Sequence, residues 1–302
     1  MEWTESIRGA IKYIENHLLD QISAEDAANE VHMSSFYLQR GFKFMTGYSI
    51  GEYIRCRRLY LAALDVISDK EKTIEIAYKY RYDTPEGFTK AFRRFHGCSP
   101  MQLKKDISRM NVFLPLKIKI IIQGGNEMDY VVEKMQGFKV IGFEREFSVD
   151  NSYQEIPKFW DEFCEKYCEK HMTTLDHQKE PKGEIQQVIC DCCIGEYGIC
   201  IDDIGKDGRF RYLIAGTYHG GNVPDGMIIF EFPDMEWAKF NCTGPMPGAL
   251  QSVNTKIFNE WLPGNPDYEI AMGANIEWYA KGDIRSVDYE SGIWIPVSKK
   301  SK

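Results

Sequence analysis

Within Ser34–Gly47, the side chains of Phe36, Gln39, Arg40 and Lys43 recur at i, i+3, i+4 and i+7, one stripe of a helix. A stripe of this kind can read DNA. Gln pairs bidentately with adenine, Arg with guanine, and Lys meets phosphate. Ser35 opens the same face beside the helix start. Leu38, Phe42 and Met45 form a second, apolar stripe that must face a core. Fifty residues later the pattern returns as Thr84, Glu86, Thr89, Lys90 and Arg93. Leu38 becomes Phe88, Arg40 becomes Lys90, Phe42 becomes Phe92, Lys43 becomes Arg93, and Gly47 becomes Gly97.

The elements that position these stripes follow from spacing and caps. Ile7, Ile11, Ile14 and Leu18 share a helical face over 4–18. Ser23 with Asp26 three residues on approximates a capping box, opening a helix over 24–31. His32-Met33 makes a turn and Ser34 caps the next helix, which is helix-turn-helix spacing. Residues 49–67 read as one long helix that holds two units apart. Thr73 caps a second short helix, Arg81-Tyr82-Asp83 replaces the turn, and Thr84 caps the second stripe. Pro85 sits at N1, where its missing N–H costs nothing.

The chain has 302 residues, 43% apolar and 27% charged, the composition of a soluble globular protein of two domains. The net charge of −8 conceals an asymmetry. Residues 1–110 carry 17 Lys+Arg against 15 Asp+Glu, a net of +2, and the remainder carries 20 against 30, a net of −10. Two domains with different partners are expected. Positive charge in the first must be concentrated on one face, with Arg55, Arg57, Arg58, Arg93 and Arg94 as its sources. No apolar run approaches the ~20 residues that span a bilayer, and MEWTESIRGA is not a secretion signal. A cytoplasmic protein without membrane partners is expected.

Over residues 5–106 the sequence resembles the DNA-binding domain of AraC-family transcription regulators. The resemblance rests on LQRGFKFMTGYSIGEYIRCRRL and TIEIAYKYRYDTPEGFTKAFRRFHGCSP. It implies an all-α domain in which two helix-turn-helix units, joined by the long helix, enter successive major grooves about 34 Å apart. Double-stranded promoter DNA and RNA polymerase are the implied partners. Phe36, Gln39 and Arg40 match base-reading positions of the first unit, Glu86 and Lys90 those of the second. Pro85 and Gly87 depart from the polar residues usual there, so base readout is expected chiefly from the first unit.

This domain is expected to occupy 1–110, with a linker over 111–127 in which Leu116–Ile122 is strand-like. Residues 128–302 contain a second repeat. DYVVEKMQGFKVIGFEREF (129–147) matches GMIIFEFPDMEWAKFNCTG (226–244), each a strand, a tight turn and a strand. A helix follows each (156–167 and 250–262), then two strands (196–203 and 210–218; 268–280 and 287–297). The reading is an α+β domain of duplicated βαββ units about a pseudo-twofold axis, with a central ligand groove between their sheets.

This half resembles the GyrI-like effector-binding family, through its duplication and through WLPGNPDYE (261–269), IEWYAKGD (276–283) and IWIPV (293–297). The resemblance implies that an acidic residue among aromatics binds a small-molecule effector, and Glu277 is the candidate. A carboxylate among aromatic faces suits a lipophilic cation, each ring adding ~0.5–2 kcal/mol of cation–π attraction. Candidate rings are Phe147, Trp160, Tyr197, Trp237 and Tyr279. An alternative within the same family resemblance is hydrolysis of electrophilic compounds, with Glu277 as general base and Tyr197 as orienter.

Nine cysteines, an odd count in a chain with cytosolic features, are expected to be thiols. Cys190-Asp191-Cys192-Cys193 with Cys200, and the helical pair Cys164/Cys168, lack zinc-site spacing. The six histidines form no ligand cluster, and no phosphate-binding glycine loop occurs. Neither a cofactor nor a catalytic set is expected.

Overall fold

The computed structural model describes residues 3–118, 128, 130–167, 183–204 and 208–300. The chain divides into two compact units, Met1–Ile122 and Gln123–Lys302. Helices α1 (Trp3–Asn16), α2 (Ala24–Glu30), α3 (Ser35–Thr46), α4 (Ile50–Ser68), α5 (Thr73–Lys79), α6 (Pro85–His96) and α7 (Pro100–Lys105) build the first. Pairs α2–α3 and α5–α6 are the two helix-turn-helix units. Their turns are closed alike: Met33 N–H donates to Ala28 O and Tyr82 N–H to Ala77 O, both at 3.0 Å. Each turn holds a non-glycine residue at positive φ, His32 at 53° and Arg81 at 65°, which costs backbone energy that the packed helices must hold.

The Ser23–Asp26 capping box forms, and Thr84 Oγ1 accepts from the Gly87 N–H at 3.1 Å with Pro85 at N1. Two caps differ from expectation. Ser34 makes no capping side-chain bond. The cap of α5 is Lys72 rather than Thr73, its N–H held at 2.9 Å by Glu75. The repeat also runs further than GCSP. Gly47 and Gly97 both end their helices in the left-handed region (φ 78° and 72°), and capping boxes Ser49–Glu52 and Ser99–Gln102 then open α4 and α7. Helix α7 therefore echoes the start of α4.

The C-terminal half of α4 supplies Leu59, Ala62, Ala63 and Val66 to a core with Ile76, Phe88, Phe92 and Leu103. Its other side is clasped to α1. Arg57, 4% exposed, donates to both oxygens of Glu15 at 2.8 Å, and Tyr53 Oη donates to Glu15 at 2.7 Å. Phe113 packs on Tyr48, Tyr53 and Phe95, so the segment expected to begin the linker still packs on this unit. Residues 111–118 carry no strand, and 119–122 lie outside the described residues.

The second unit is one antiparallel sheet: β1 (Tyr130–Met135), β2 (Phe138–Ser148), β3 (Tyr197–Ile201), β4 (Arg209–Thr217), β5 (Met227–Phe232), β6 (Met235–Thr243), β7 (Tyr268–Ile270), β8 (Ala274–Tyr279) and β9 (Glu290–Lys299). The order is β1-β6-β9-β8-β3-β4-β2-β5, with β7 also on β9. The two repeats thus share a continuous sheet, joined at β3–β8. The strands expected as hairpins do not pair with each other. β1 pairs with β6 of the second repeat and β5 with β2 of the first, so each repeat lends its first strand.

Helix α8 (Ser152–Tyr167) and helix α10 (Gly248–Lys256), which continues through a π turn at Ile257–Trp261, lie on one face. Their aromatics define it: Phe159 packs on Phe147, and Trp261 on Phe240. The opposite face carries a core of Val140, Ile199, Leu213, Phe232, Trp237 and Ile276. A short helix α9 (Glu184–Asp191), absent from the sequence reading, carries the first cysteine of the CDCC stretch.

Following register from the matched hairpins across the sheet identifies equivalent positions. Val140 corresponds to Trp237, Thr217 to Pro296, Ala215 to Trp294, and Gly198 to Glu277. Gly198 and Glu277 are also directly paired across β3–β8. The pseudo-twofold axis passes between them.

Candidate nucleic-acid and effector sites

On α6 the stripe is open. Thr84, Glu86, Lys90, Arg93 and Arg94 are exposed, while Thr89 is half-buried and donates from Oγ1 to Pro85 O at 2.8 Å. On α3 it is not. Phe36 and Gln39 are 2% and 7% exposed, and Gln39 Nε2 donates to half-buried Ser35 Oγ at 3.0 Å. The Arg40 guanidinium lies 5.3 Å over the Phe36 ring. Lys43 pairs at 3.2 Å with Glu52, whose carboxyl is lowered first by the Ser49 backbone N–H and then by this lysine. The sequence favoured α3 as the base reader; in this conformation α6 is the helix with accessible side chains. Of the five expected arginines, Arg57 is consumed by the Glu15 clasp. Arg58 donates to Leu18 O and Asp20 O at 2.7 Å. Arg55, Arg93 and Arg94 remain on the surface.

In the second unit, β8 places Glu277 and Tyr279 on the helix-bearing face, two residues apart. Tyr279 Oη donates to Glu277 Oε2 at 2.9 Å. A second phenol, Tyr212 of β4, donates to the same oxygen at 3.2 Å. Tyr212 reaches it by crossing β3 at Gly198. A Cβ there would stand 2.1 Å from Tyr212 Oη and 3.3 Å from Glu277 Oε2, so only glycine fits. Trp160 of α8 donates from Nε1 to Tyr212 Oη at 2.8 Å and meets Tyr279 edge-on, centroids 5.2 Å apart. Phe147 stands edge-on to Tyr212 at 6.2 Å. Burial, and next the Glu277 charge, hold both phenols well above their usual 10. They stay protonated and serve as donors.

Four of the six expected effector residues are therefore together: Glu277, Tyr279, Trp160 and Phe147. The other two are not. Tyr197 and Trp237 point to the opposite face, where Trp237 packs on Phe232 and Phe138 at 5.3 and 6.1 Å. Tyr197 accepts from Thr217 Oγ1 at 3.4 Å, so the expected Glu277–Tyr197 pairing is not formed. The reason is register: Tyr197 pairs with Trp278, the neighbour of Glu277, and neighbours point to opposite faces. Tyr212 was missed. Its one sequence signal is Gly198, a glycine inside an otherwise apolar strand.

The described cysteines form no disulfide, and Cys168 lies outside the described residues. Burial raises the thiols of Cys190 and Cys192. Among the described residues no group of His, Cys, Asp and Glu side chains could hold a metal ion, and no helix is long and apolar enough to cross a membrane.

Comparison with known proteins gives two family matches. Residues 132–297 match the family described as integron-associated effector binding protein, and residues 27–106 match a helix-turn-helix domain. The HTH-type transcriptional activator AarP of Providencia stuartii is 33% identical over 108 residues, 36% of this chain and 80% of that protein. The uncharacterized HTH-type transcriptional regulator YbfP of Bacillus subtilis is 29% identical over 153 residues, 50% of this chain and 48% of the relative. The right origin-binding protein of Escherichia coli K12 is 32% identical over 120 residues, 39% and 42% of the two chains. The match thus spans about half the length of these last two relatives. Among solved structures, SAV2435 bound to tetraphenylphosphonium overlaps 57% of this chain and 94% of its own, at 19% identity and a TM-score of 0.44. Through residues 27–106 and 132–297 the chain belongs to the AraC-type helix-turn-helix regulators that carry an integron-associated, GyrI-like effector-binding domain.

Proposed function

We propose that this protein is a cytoplasmic transcription regulator, without catalytic turnover, that binds promoter DNA through α3 and α6 and is controlled by a lipophilic cation held at Glu277. The observation that carries the effector half is the Glu277 carboxylate. It accepts two phenol donors on Oε2 and has no cationic partner among the described residues. Aromatic rings from α8, β2, β4 and β8 surround it. A half-buried anion without a counter-charge is costly, and a cation with an apolar body removes that cost while gaining cation–π attraction. The N-terminal half rests on the two capped units and the open α6 stripe. Contact with RNA polymerase is part of the same proposal. Ligand alters regulation only if it binds one state of the protein better than another.

Calorimetry with tetraphenylphosphonium tests the effector reading. Glu277→Gln is expected to weaken binding at least tenfold and leave apo affinity for DNA unchanged. Equal affinity of wild type and variant for the cation would reject Glu277 as the anchor.

A further inference from the structure

We infer that Trp160 is a positioning residue that orients the Glu277 carboxylate from helix α8 through Tyr212, so that cation binding and the seating of α8 are one equilibrium. This rests on Glu277 being the cation anchor. An indole N–H only donates, so the Trp160 contact makes the Tyr212 oxygen an acceptor. Tyr212 has one proton, and it is spent on Glu277 Oε2. The result is a one-way chain, Trp160 N–H to Tyr212 O–H to Glu277, joined from the other side by Tyr279 O–H. Every donor in it points toward the carboxylate. Such polarised chains strengthen their last bond.

The chain crosses elements. Tyr212, Tyr279 and Gly198 belong to the sheet, but Trp160 belongs to α8. That helix is held to the sheet by the aromatic contacts of Phe159 and Phe163 with Phe147 and Phe143, and by the exposed Arg145–Glu162 pair. Moving α8 by about an ångström removes the donor at the head of the chain. Tyr212 is then free to turn its proton away, and the carboxylate loses one of its two phenol donors. By linkage, a cation that requires the carboxylate pulls α8 onto the sheet. The titratable groups around Glu277 are Tyr279 on its own strand, Tyr212 on β4, Cys200 on β3 and Cys242 on β6. Both thiols lie in electrostatic range of the cluster. Burial pushes Cys242 up to about 11.

The test is tetraphenylphosphonium binding by calorimetry on the full chain at pH 7. Trp160→Phe keeps an aromatic ring on α8 and removes the indole N–H donor. Binding is expected to weaken about three- to tenfold, the range of one hydrogen bond. Trp160→Phe placed on Tyr212→Phe should add nothing, because the chain is already cut. Wild-type affinity in Trp160→Phe would overturn the inference. So would losses that add in the double variant. Glu277→Gln separates the two readings: if it binds like wild type, the anchor itself is wrong.

Discussion

Replacing Gly198 with alanine tests the geometry of the proposed effector site without substituting Glu277. The new Cβ would stand 2.1 Å from Tyr212 Oη, 3.0 Å from its Cζ and 3.3 Å from Glu277 Oε2. Ordinary contact requires Tyr212 to retreat by roughly 1 Å, and this side chain is fully buried. Overpacking of that kind costs ~1–3 kcal/mol. The bonds of Tyr212 to Glu277 and Trp160 break, at ~0.5–1.5 kcal/mol each. Alanine recovers up to ~1 kcal/mol of glycine's excess chain entropy. The net expectation is a loss of ~1–6 kcal/mol. In a Tyr212→Phe background the oxygen at 2.1 Å is gone and only the ring carbon at 3.0 Å and Glu277 Oε2 at 3.3 Å remain, so the same substitution should cost under ~1 kcal/mol. Urea unfolding followed by tryptophan emission reads this, because Trp160, Trp237, Trp261, Trp278 and Trp294 all lie in the second unit and only Trp3 in the first. Equal costs of Gly198→Ala in the two backgrounds would refute the claim that Tyr212 crosses the sheet at this glycine.

Arg93→Ala, on the open face of α6, should lower the salt slope of binding to random-sequence duplex by about one, the loss of one phosphate contact; an unchanged slope would remove α6 from the interface. His96 gives the pH prediction. Its Nε2–H donates to Leu59 O and its Nδ1 accepts the Asn111 N–H, both at 3.1 Å. Burial pushes the imidazole below its usual 6.5. The unfolded chain therefore binds the proton first, so stability is full above about pH 6.5 and falls as pH drops below it. Chemical unfolding at pH 7.5 and 5.5 should show this loss in wild type and a smaller one in His96→Gln; identical losses would assign it elsewhere.

The DNA-binding half was legible because its signals are local. Capping residues, Pro85, the glycine stops and the apolar stripes each act within one or two turns of helix. What escaped there was the burial of Phe36 and Gln39, which no stripe of polar residues can reveal. The effector half was legible only to the level of its elements. Strand β3 is buried on both faces, as is most of β4, so hydrophobic alternation is erased and the face of Tyr197 or Tyr212 cannot be read from type. Strand partners were hidden for a related reason. Two strands joined by a two-residue turn read as a hairpin, yet here the exchange of β1 and β5 between repeats decides the pairing. Glu277 and Tyr279 were candidates through the family resemblance, and their i, i+2 spacing puts them on one face of a strand whatever the neighbours are.

The pairing of Gly198 with Glu277 across the pseudo-twofold axis has a historical consequence. A half-length ancestor, lending its first strand to a twin, would have built this sheet as a homodimer. Its two identical subunits would have set the same residue against itself at the axis. Two carboxylates would collide and repel there, and two glycines would hold no charge. A glutamate facing a glycine demands that the two halves be encoded separately. Duplication would thus have been the precondition for this site, since two unlike halves, here carried by one chain, break the symmetry at the point where the anion sits.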